Sequence, residues 1–503
     1  MDPVLIVGAG PVGLSGALLL ARQGVPSVVL EAAPERQTIG SRSICVQRDV
    51  LDILERVGLG HTLVEAGVTW YTGRIYYREH EVFTITFPET GAGEFPPFVN
   101  ISQSEVERLL ERRVRAEPLI DLRYGHRVTD IDAGAHEVRA RASTPDGVVD
   151  LIGTHCVAAD GGRSTVRELL GLPFDGHSFD DQFLITDIRA KLDFPVPERR
   201  FYFDPAANPG RQVLLHPQPD DVWRIDWQVP DGFDLPADRA GGGLERRVRA
   251  IVGDTDYEVV WMSVYRFHQR RAPTMIRGRV LLAGDAAHVM SPFGARGMNS
   301  GIADVENAAW KIALDRSGAA GPALLASYDH ERGAAADENL RVTGRTMRFL
   351  VPRTEAERAH RRDVLERSVH DSAARKEIDS GKLSEPFWYL DSPLTTPADP
   401  AEIAAFPTEP GVVRPPLPGV LCPDLPLPSG GRLRARFGAG FTVLVGPEAG
   451  VDGVVVPPEI AAALRFGRRG AALVRPDGYL AAVLTGEDLE PRLAAARRRA
   501  CGW

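Results

Sequence analysis

Within its first 31 residues the chain lays down a buried strand, a glycine-rich turn, a helix and a second strand ending in an acid. No other stretch constrains the fold as much. Val4-Leu5-Ile6-Val7 is an apolar run of the kind a strand covered on both faces requires. Gly8-Ala9-Gly10-Pro11-Val12-Gly13 turns the chain with G-x-G-x-x-G spacing. Leu14, Ala17, Leu18 and Ala21 recur at helical spacing, and Gly24 ends the helix. Ser27-Val28-Val29-Leu30 reads as the second strand, closed by Glu31. In such a unit the first glycine permits the tight turn, the second lets a pyrophosphate approach the backbone, and the third lets helix and strand pack closely. Free N–H groups at the helix start suit an anion. Gly8, Gly10, Pro11, Val12 and Gly13 are therefore expected to hold a dinucleotide, with Glu31 accepting from ribose hydroxyls. An acid there disfavours a 2′-phosphate, which leaves FAD or NAD rather than NADP as the resident ligand.

The chain is 503 residues long, enough for two or three domains. Its 44% apolar and 25% charged residues suit a folded protein rather than a disordered one. Fifty-nine basic and 68 acidic side chains give a net charge of -9, which argues against nucleic-acid binding. No apolar run of about 18 to 20 residues predicts a membrane span, and no basic segment precedes Val4 as a signal peptide would need. Cys45, Cys156, Cys422 and Cys501 stand far apart, without zinc or dithiol spacing. His177, His216, His268 and His288 lack a ligand pattern, so no metal is expected. The expectation is a reduced, cytoplasmic, globular protein.

Further along, Ser104 to Arg115 reads as a helix, and Val128 to Val149 as a hairpin turning at Thr144-Pro145-Asp146-Gly147. Residues 180–270 are rich in strand formers and aromatics and predict a mostly antiparallel sheet walling off a pocket. Helices are expected over about 300–316, 322–347 and 354–378. Eleven prolines among the 38 residues 391–428 predict a linker without helix or central strand. A small domain follows over 429–503.

Two later segments bear on the choice of cofactor. Val157-Ala158-Ala159 runs into Asp160-Gly161-Gly162, and a strand at 279–283 runs into Gly284-Asp285-Ala286-Ala287-His288, continuing through Pro292, Gly294, Gly297, Met298, Asn299 and Gly301. An acid at a strand end can accept from a ribityl hydroxyl, or it can simply cap a helix. A helix starting near Gly297 could aim N–H groups at the flavin's pyrimidine edge.

With the glycine fingerprint, these motifs resemble the group A FAD-dependent aromatic hydroxylases, and most nearly the branch of 3-(3-hydroxyphenyl)propionate hydroxylase and pentachlorophenol monooxygenase. The resemblance extends over about residues 1–390. It implies an α/β and α+β architecture: a Rossmann-like FAD-binding domain (1–179 and 271–390), an inserted sheet domain for substrate (180–270), the linker (391–428) and a thioredoxin-like C-terminal domain (429–503) lacking C-x-x-C. It also implies flavin contacts by Arg42 and Gln103, beside Asp160, Gly284, Asp285, Pro292, Gly297, Met298 and Asn299. The activity it implies is hydroxylation of a phenolic substrate with O₂ through a flavin C4a-hydroperoxide, NADPH or NADH being a transient donor because no second glycine fingerprint is present. Baeyer–Villiger oxygenation, epoxidation, oxidative dehalogenation or denitration, and non-catalytic flavin binding are the alternatives.

Such chemistry needs a dry pocket and a base or proton relay for the phenol. Tyr202, His216, Trp227 and His268 are the candidates for lining or deprotonation, and Arg270 and Arg296 for holding an acidic substrate or the flavin. Substrate identity stays open, as does oligomeric state, with a homodimer as one candidate assembly.

Overall fold

The computed structural model describes residues 2–36, 43–87, 93–194, 197–409 and 411–503. Its first sheet has six strands in the order Ile276–Arg277, Val280–Leu282, Cys156–Ala158, Val4–Val7, Ser27–Leu30, Ile120–Arg123. Every neighbouring pair is parallel except the first. Strand Val4–Val7 is buried along its whole length, and helix Pro11–Arg22 packs so close to helix Arg296–Arg316 that a Cβ on Gly16 would lie 3.3 Å from Val305. Residues buried on both faces explain the unbroken apolar runs in the sequence.

Register decides where the motifs meet. Val7 lies beside Ala158, and Ala158 beside Leu282, so the chain leaves the sheet at Gly8, Ala159 and Ala283 along one edge. Strand order reverses on either side of Val4–Val7, and a doubly wound sheet receives its ligand at the carboxyl edge of that point. Three motifs far apart in sequence are thus brought together by parallel pairing alone.

The second sheet has eight strands: His288–Val289, Glu258–Arg271, Asp175–Arg189, Val222–Val229, Gln212–Pro217, Glu198–Phe203, Thr72–Tyr77 and His80–Thr86. All pairs are antiparallel except Glu198–Phe203 with Thr72–Tyr77. It extends beyond the 180–270 bounds expected for it, because two strands from 72–86 complete one edge. The hairpin at 138–153 turns where expected. Helices run over Arg296–Arg316, Ala323–Leu350 and Glu355–Ser368.

In the C-terminal domain the strand order is Val454–Val455, Thr442–Val445, Ala471–Val474, Leu480–Leu484, with the first pair parallel and the rest antiparallel. Helices Pro458–Ala463 and Leu489–Ala500 complete a thioredoxin-like arrangement, but residues 446–453 join the parallel pair without a helix. The proline-rich stretch differs from its expectation. It holds the short helix Pro400–Ala404, with proline at its first position and Asp399 accepting from the Ala401 N–H. Proline costs no hydrogen bond there. Phe406, Leu417 and Val420 are buried and Gly419 N–H donates to the Leu480 carbonyl at 2.7 Å, so the segment is packed rather than loose.

Candidate active site

The glycine turn is built by contact. Gly8 has φ +103°, and a Cβ on Gly13 would fall 1.9 Å from the Gly8 carbonyl oxygen, so the turn closes only on bare backbone. Gly10 is the opposite case. Nothing lies within 4 Å of its Cβ position, and the helix that Pro11 begins has no side-chain cap. Its first N–H groups therefore open onto a cavity of about 1500 Å³, lined by Gly8, Gly10, Pro11 and Val12 at one end. Glu31 also lines it, held by N–H donors from Ala9 (2.8 Å) and Ala33 (2.9 Å). A carboxylate has about four acceptor sites, so capacity remains for sugar hydroxyls.

Helix Arg296–Arg316 aims its start at the same cavity. Its cap residue, Ala295, is left-handed (φ 55°) and supplies no side-chain bond, and nothing lies within 4 Å of a Cβ on Gly297. Pro292, Gly297 and Met298 line this part of the cavity with Asp285. Beneath them Asp304, fully buried, accepts from Gly284 N–H (3.0 Å), His288 Nε2 (2.8 Å) and Arg332 Nε (2.7 Å). Burial opposes its charge, but Arg332 and His288 hold the carboxyl down to about 2. The Gly284 turn is thereby fixed from below.

Other expected residues also have partners within the chain. Asp160 lines the cavity, yet its carboxylate accepts from Ser164 Oγ (2.5 Å) and Val166 N–H (3.0 Å), serving its own helix. Gln103 Oε1 accepts from Ser43 N–H at 3.1 Å and lines the cavity. Asn299 is buried as a clamp, accepting from Gln47 N–H (3.0 Å) and donating to the Cys45 carbonyl (2.9 Å). Arg42 lies outside the described residues.

The far end of the cavity is one face of the eight-stranded sheet, with Trp70, Phe87, Phe183, Trp261, Tyr265 and Phe293 as its aromatic wall. Strand alternation sorts the candidates. His216 and Leu214 face the cavity, as do Arg224 and Asp226 on the adjacent strand. Trp227 falls on the opposite face, fully buried, and Tyr202 stacks on Tyr76 at 4.7 Å, away from the cavity. His268 alternates with the cavity-facing Phe267 and pairs with Ser178 Oγ at 2.8 Å. Arg270, which does not line the cavity, reaches Ser178 Oγ at 3.3 Å, and Arg296 lines the cavity but spends its guanidinium on Asn339 Oδ1 (2.6 Å) and the Leu383 carbonyl (2.9 Å). Residues not expected from sequence take those places: Arg199, Arg224 and Asp226. Cys45 also lines the cavity, its thiol pushed up to about 12 by burial.

A cavity for one drug-sized ligand measures roughly 300–1,000 Å³, so this one has room for a dinucleotide and a second molecule. Two helix starts with open N–H groups, small backbone where bulk would intrude and an acid at the second strand's end fit FAD. Fold and site together define a dinucleotide-binding flavoprotein.

Comparison with known proteins agrees. A family model described as an FAD binding domain matches residues 1–343. The chain is 30% identical over 329 residues to para-nitrophenol 4-monooxygenase of Pseudomonas sp. (strain WBC-3), covering 63% of this chain and 80% of that enzyme. It is also 30% identical over 378 residues to 3-(3-hydroxy-phenyl)propionate/3-hydroxycinnamic acid hydroxylase of Mycolicibacterium smegmatis, covering 73% of this chain and 64% of that enzyme. The structure superposes on the flavin-dependent monooxygenase PieE with a TM-score of 0.83 over 99% of both chains, at 23% identity. The chain belongs to this FAD-binding family and is an FAD-dependent aromatic hydroxylase. It spans less than two thirds of the length of several of the propionate hydroxylases it matches. No described helix is long and apolar enough to cross a membrane.

Proposed function

We propose that the chain uses NAD(P)H and O₂ to insert one oxygen atom into a phenolic substrate. The observation that carries this reading is a single cavity of about 1500 Å³ joining the glycine cradle to an aromatic-walled sheet face. FAD, when bound, supplies the redox chemistry and the oxygen activation. The chain's own residues do the rest. Gly8, Gly10 and the first N–H groups of helix Pro11–Arg22 receive the pyrophosphate, and Glu31 the adenosine ribose. Asp285 accepts from the ribityl chain, and the start of helix Arg296–Arg316 faces the flavin ring. Trp70, Phe87, Phe183 and Trp261 bind the aromatic ring and exclude water, which would otherwise divert the oxidant. The nicotinamide donor visits without a domain of its own. That donor and the four unpaired cysteines suit the cytoplasm.

The purified chain is expected to be yellow, with NAD(P)H oxidation accelerated by phenols and coupled to a hydroxylated product. A colourless protein, or oxidation that no phenol stimulates, would defeat the reading. Asp285→Ala is expected to lower flavin occupancy at least tenfold at limiting FAD, since one hydrogen bond to a charged group contributes about 1.5–3 kcal/mol. Unaltered occupancy after gel filtration would remove Asp285 from the cradle.

A further inference from the structure

We propose that Asp226 is the proton acceptor for the substrate's phenolic hydroxyl, with Arg199 as the counter-ion for the phenolate that forms. The proposal rests on the hydroxylase reading above and adds the base that the sequence did not identify.

Two rows of side chains cross the cavity face of the large sheet. In one, Trp261 lies beside Asp187, Asp187 beside Arg224 and Arg224 beside His216. In the next, Ser263, Ile185, Asp226 and Leu214 lie side by side. Asp187 and Asp226 could compete for Arg224, but the contest is settled: Arg224 holds Asp187 through two bonds of 2.8 Å. Asp226 Oδ1 is shielded from solvent and has no hydrogen-bond partner among the described residues. An unpaired, shielded carboxylate oxygen is unfavourable, and proton uptake by the Asp226 carboxyl, which lines the cavity, relieves it.

The charges around Asp226 come from three strands. Burial pushes its carboxyl up to about 7, Arg224 on its own strand and Arg199 on Glu198–Phe203 work against that rise, and Asp187 adds to it. A base poised near neutral pH is the kind general catalysis favours. His216 is the obvious rival. Burial and then the neighbouring guanidiniums of Arg199 and Arg224 keep its imidazole well below its usual range. A proton on His216 would place a third cation beside Arg199 and Arg224, so the carboxylate is the better acceptor. Arg199 donates to the Ser380 carbonyl at 3.3 Å and forms no ion pair with a carboxylate among the described residues. It is left to face an anion.

The step balances without a further reactant. The phenol O–H bond breaks, its electron pair stays on oxygen, and the proton bonds to a carboxylate oxygen of Asp226. The electron-rich ring then accepts oxygen more readily.

The test is the affinity of the oxidised holoenzyme for 4-nitrophenol as a function of pH, in wild type and in Asp226→Asn. Once the probe is ionised in solution, the bound phenolate requires Asp226 to carry a proton. Above about pH 7 the free carboxyl loses that proton, so wild-type affinity should fall about tenfold per pH unit. In Asp226→Asn the affinity should be flat over the same range, and turnover of a non-ionised phenol should fall roughly 10²- to 10⁴-fold with FAD content unchanged. Rates of the variant should recover as pH ionises the substrate. Equal slopes in the two proteins, a flat wild-type profile, or failure of 4-nitrophenol to bind would overturn the proposal. The wild-type slope stands as a test even if the variant does not fold. Oxygen insertion with equal slopes would refute Asp226 alone. The expected slopes without oxygen insertion into any phenol would refute the hydroxylase reading and leave Asp226 as acceptor for bound phenols.

Discussion

Gly13→Ala is expected to abolish flavin binding and destabilise the nucleotide domain together, whereas Gly10→Ala should abolish flavin binding alone. The two glycines stand in one turn but meet different surroundings. A Cβ on Gly13 would sit 1.9 Å from the Gly8 carbonyl oxygen, which is backbone and cannot rotate aside. Gly8 N–H is itself tied to the Leu30 carbonyl at 2.8 Å, so relief of the clash must displace the strand edge. Overpacking against yielding side chains costs about 1–3 kcal/mol, and against fixed backbone the upper end or more applies. At Gly10 the added methyl meets nothing within 4 Å, so folding should change by no more than about 0.5 kcal/mol. In the proposed cradle, what it would meet is the pyrophosphate. Thermal unfolding and flavin content per chain check both variants. A Gly10→Ala protein that keeps its flavin would place the phosphates elsewhere.

Glu331→Ala should loosen the C-terminal domain, for electrostatic reasons that no sequence motif announces. Glu331, on helix Ala323–Leu350, accepts from Arg475 (2.6 and 2.9 Å), Lys311 (2.8 Å), Asn307 (2.7 Å) and Ser392 (2.6 Å), and is almost fully buried. Arg475 also pairs with Asp477, so two cations balance two anions. Removing Glu331 leaves two buried cations with one partner, a change that costs about 3–5 kcal/mol. Burial alone would raise the Glu331 carboxyl, but Arg475 and then Lys311 hold it far below the usual range. Its folded-state value is thus depressed. The stabilisation is complete above the ordinary glutamate range and is lost as pH falls below it. Glu331→Ala is therefore expected to unfold earlier at neutral pH, to lose part of the wild type's acid sensitivity, and to be cleaved within residues 391–428 under limited proteolysis. Wild-type resistance to denaturant and protease would contradict this reading of the cluster.

The nucleotide end of the site was readable because its chemistry is written locally. Gly8, Gly10 and Gly13 have fixed spacing, and the strands beside them are continuous apolar runs. Ambiguity entered where one residue type serves two purposes. Asp160 reads more readily as a helix cap than as a ligand contact, and its carboxylate does accept from Ser164 and Val166 of its own helix. Asn299 matches the motif but acts through Gln47 and Cys45.

The substrate end was harder to read because it depends on the phase of strand alternation. Strand Val222–Val229 is nearly all buried, so both faces carry large side chains. Attention to aromatics selects Trp227. The informative signal was the charge at every second position, Arg224 and Asp226, within a strand whose other residues but Gln228 are apolar. Such charges are tolerated only where a cavity or a partner meets them. Pairing of Thr72–Tyr77 with Glu198–Phe203 joins residues over a hundred positions apart, and Glu331 meets Arg475 across 144. Local patterns carry no information about either contact.

Turnover under isotopically heavy O₂, with NAD(P)H and a panel of phenols, tests the central claim most directly. One heavy oxygen atom is expected in each molecule of hydroxylated product, formed by a chain that holds one FAD. Product oxygen drawn from water, or reduction of O₂ with no oxygen entering any phenol, would contradict it.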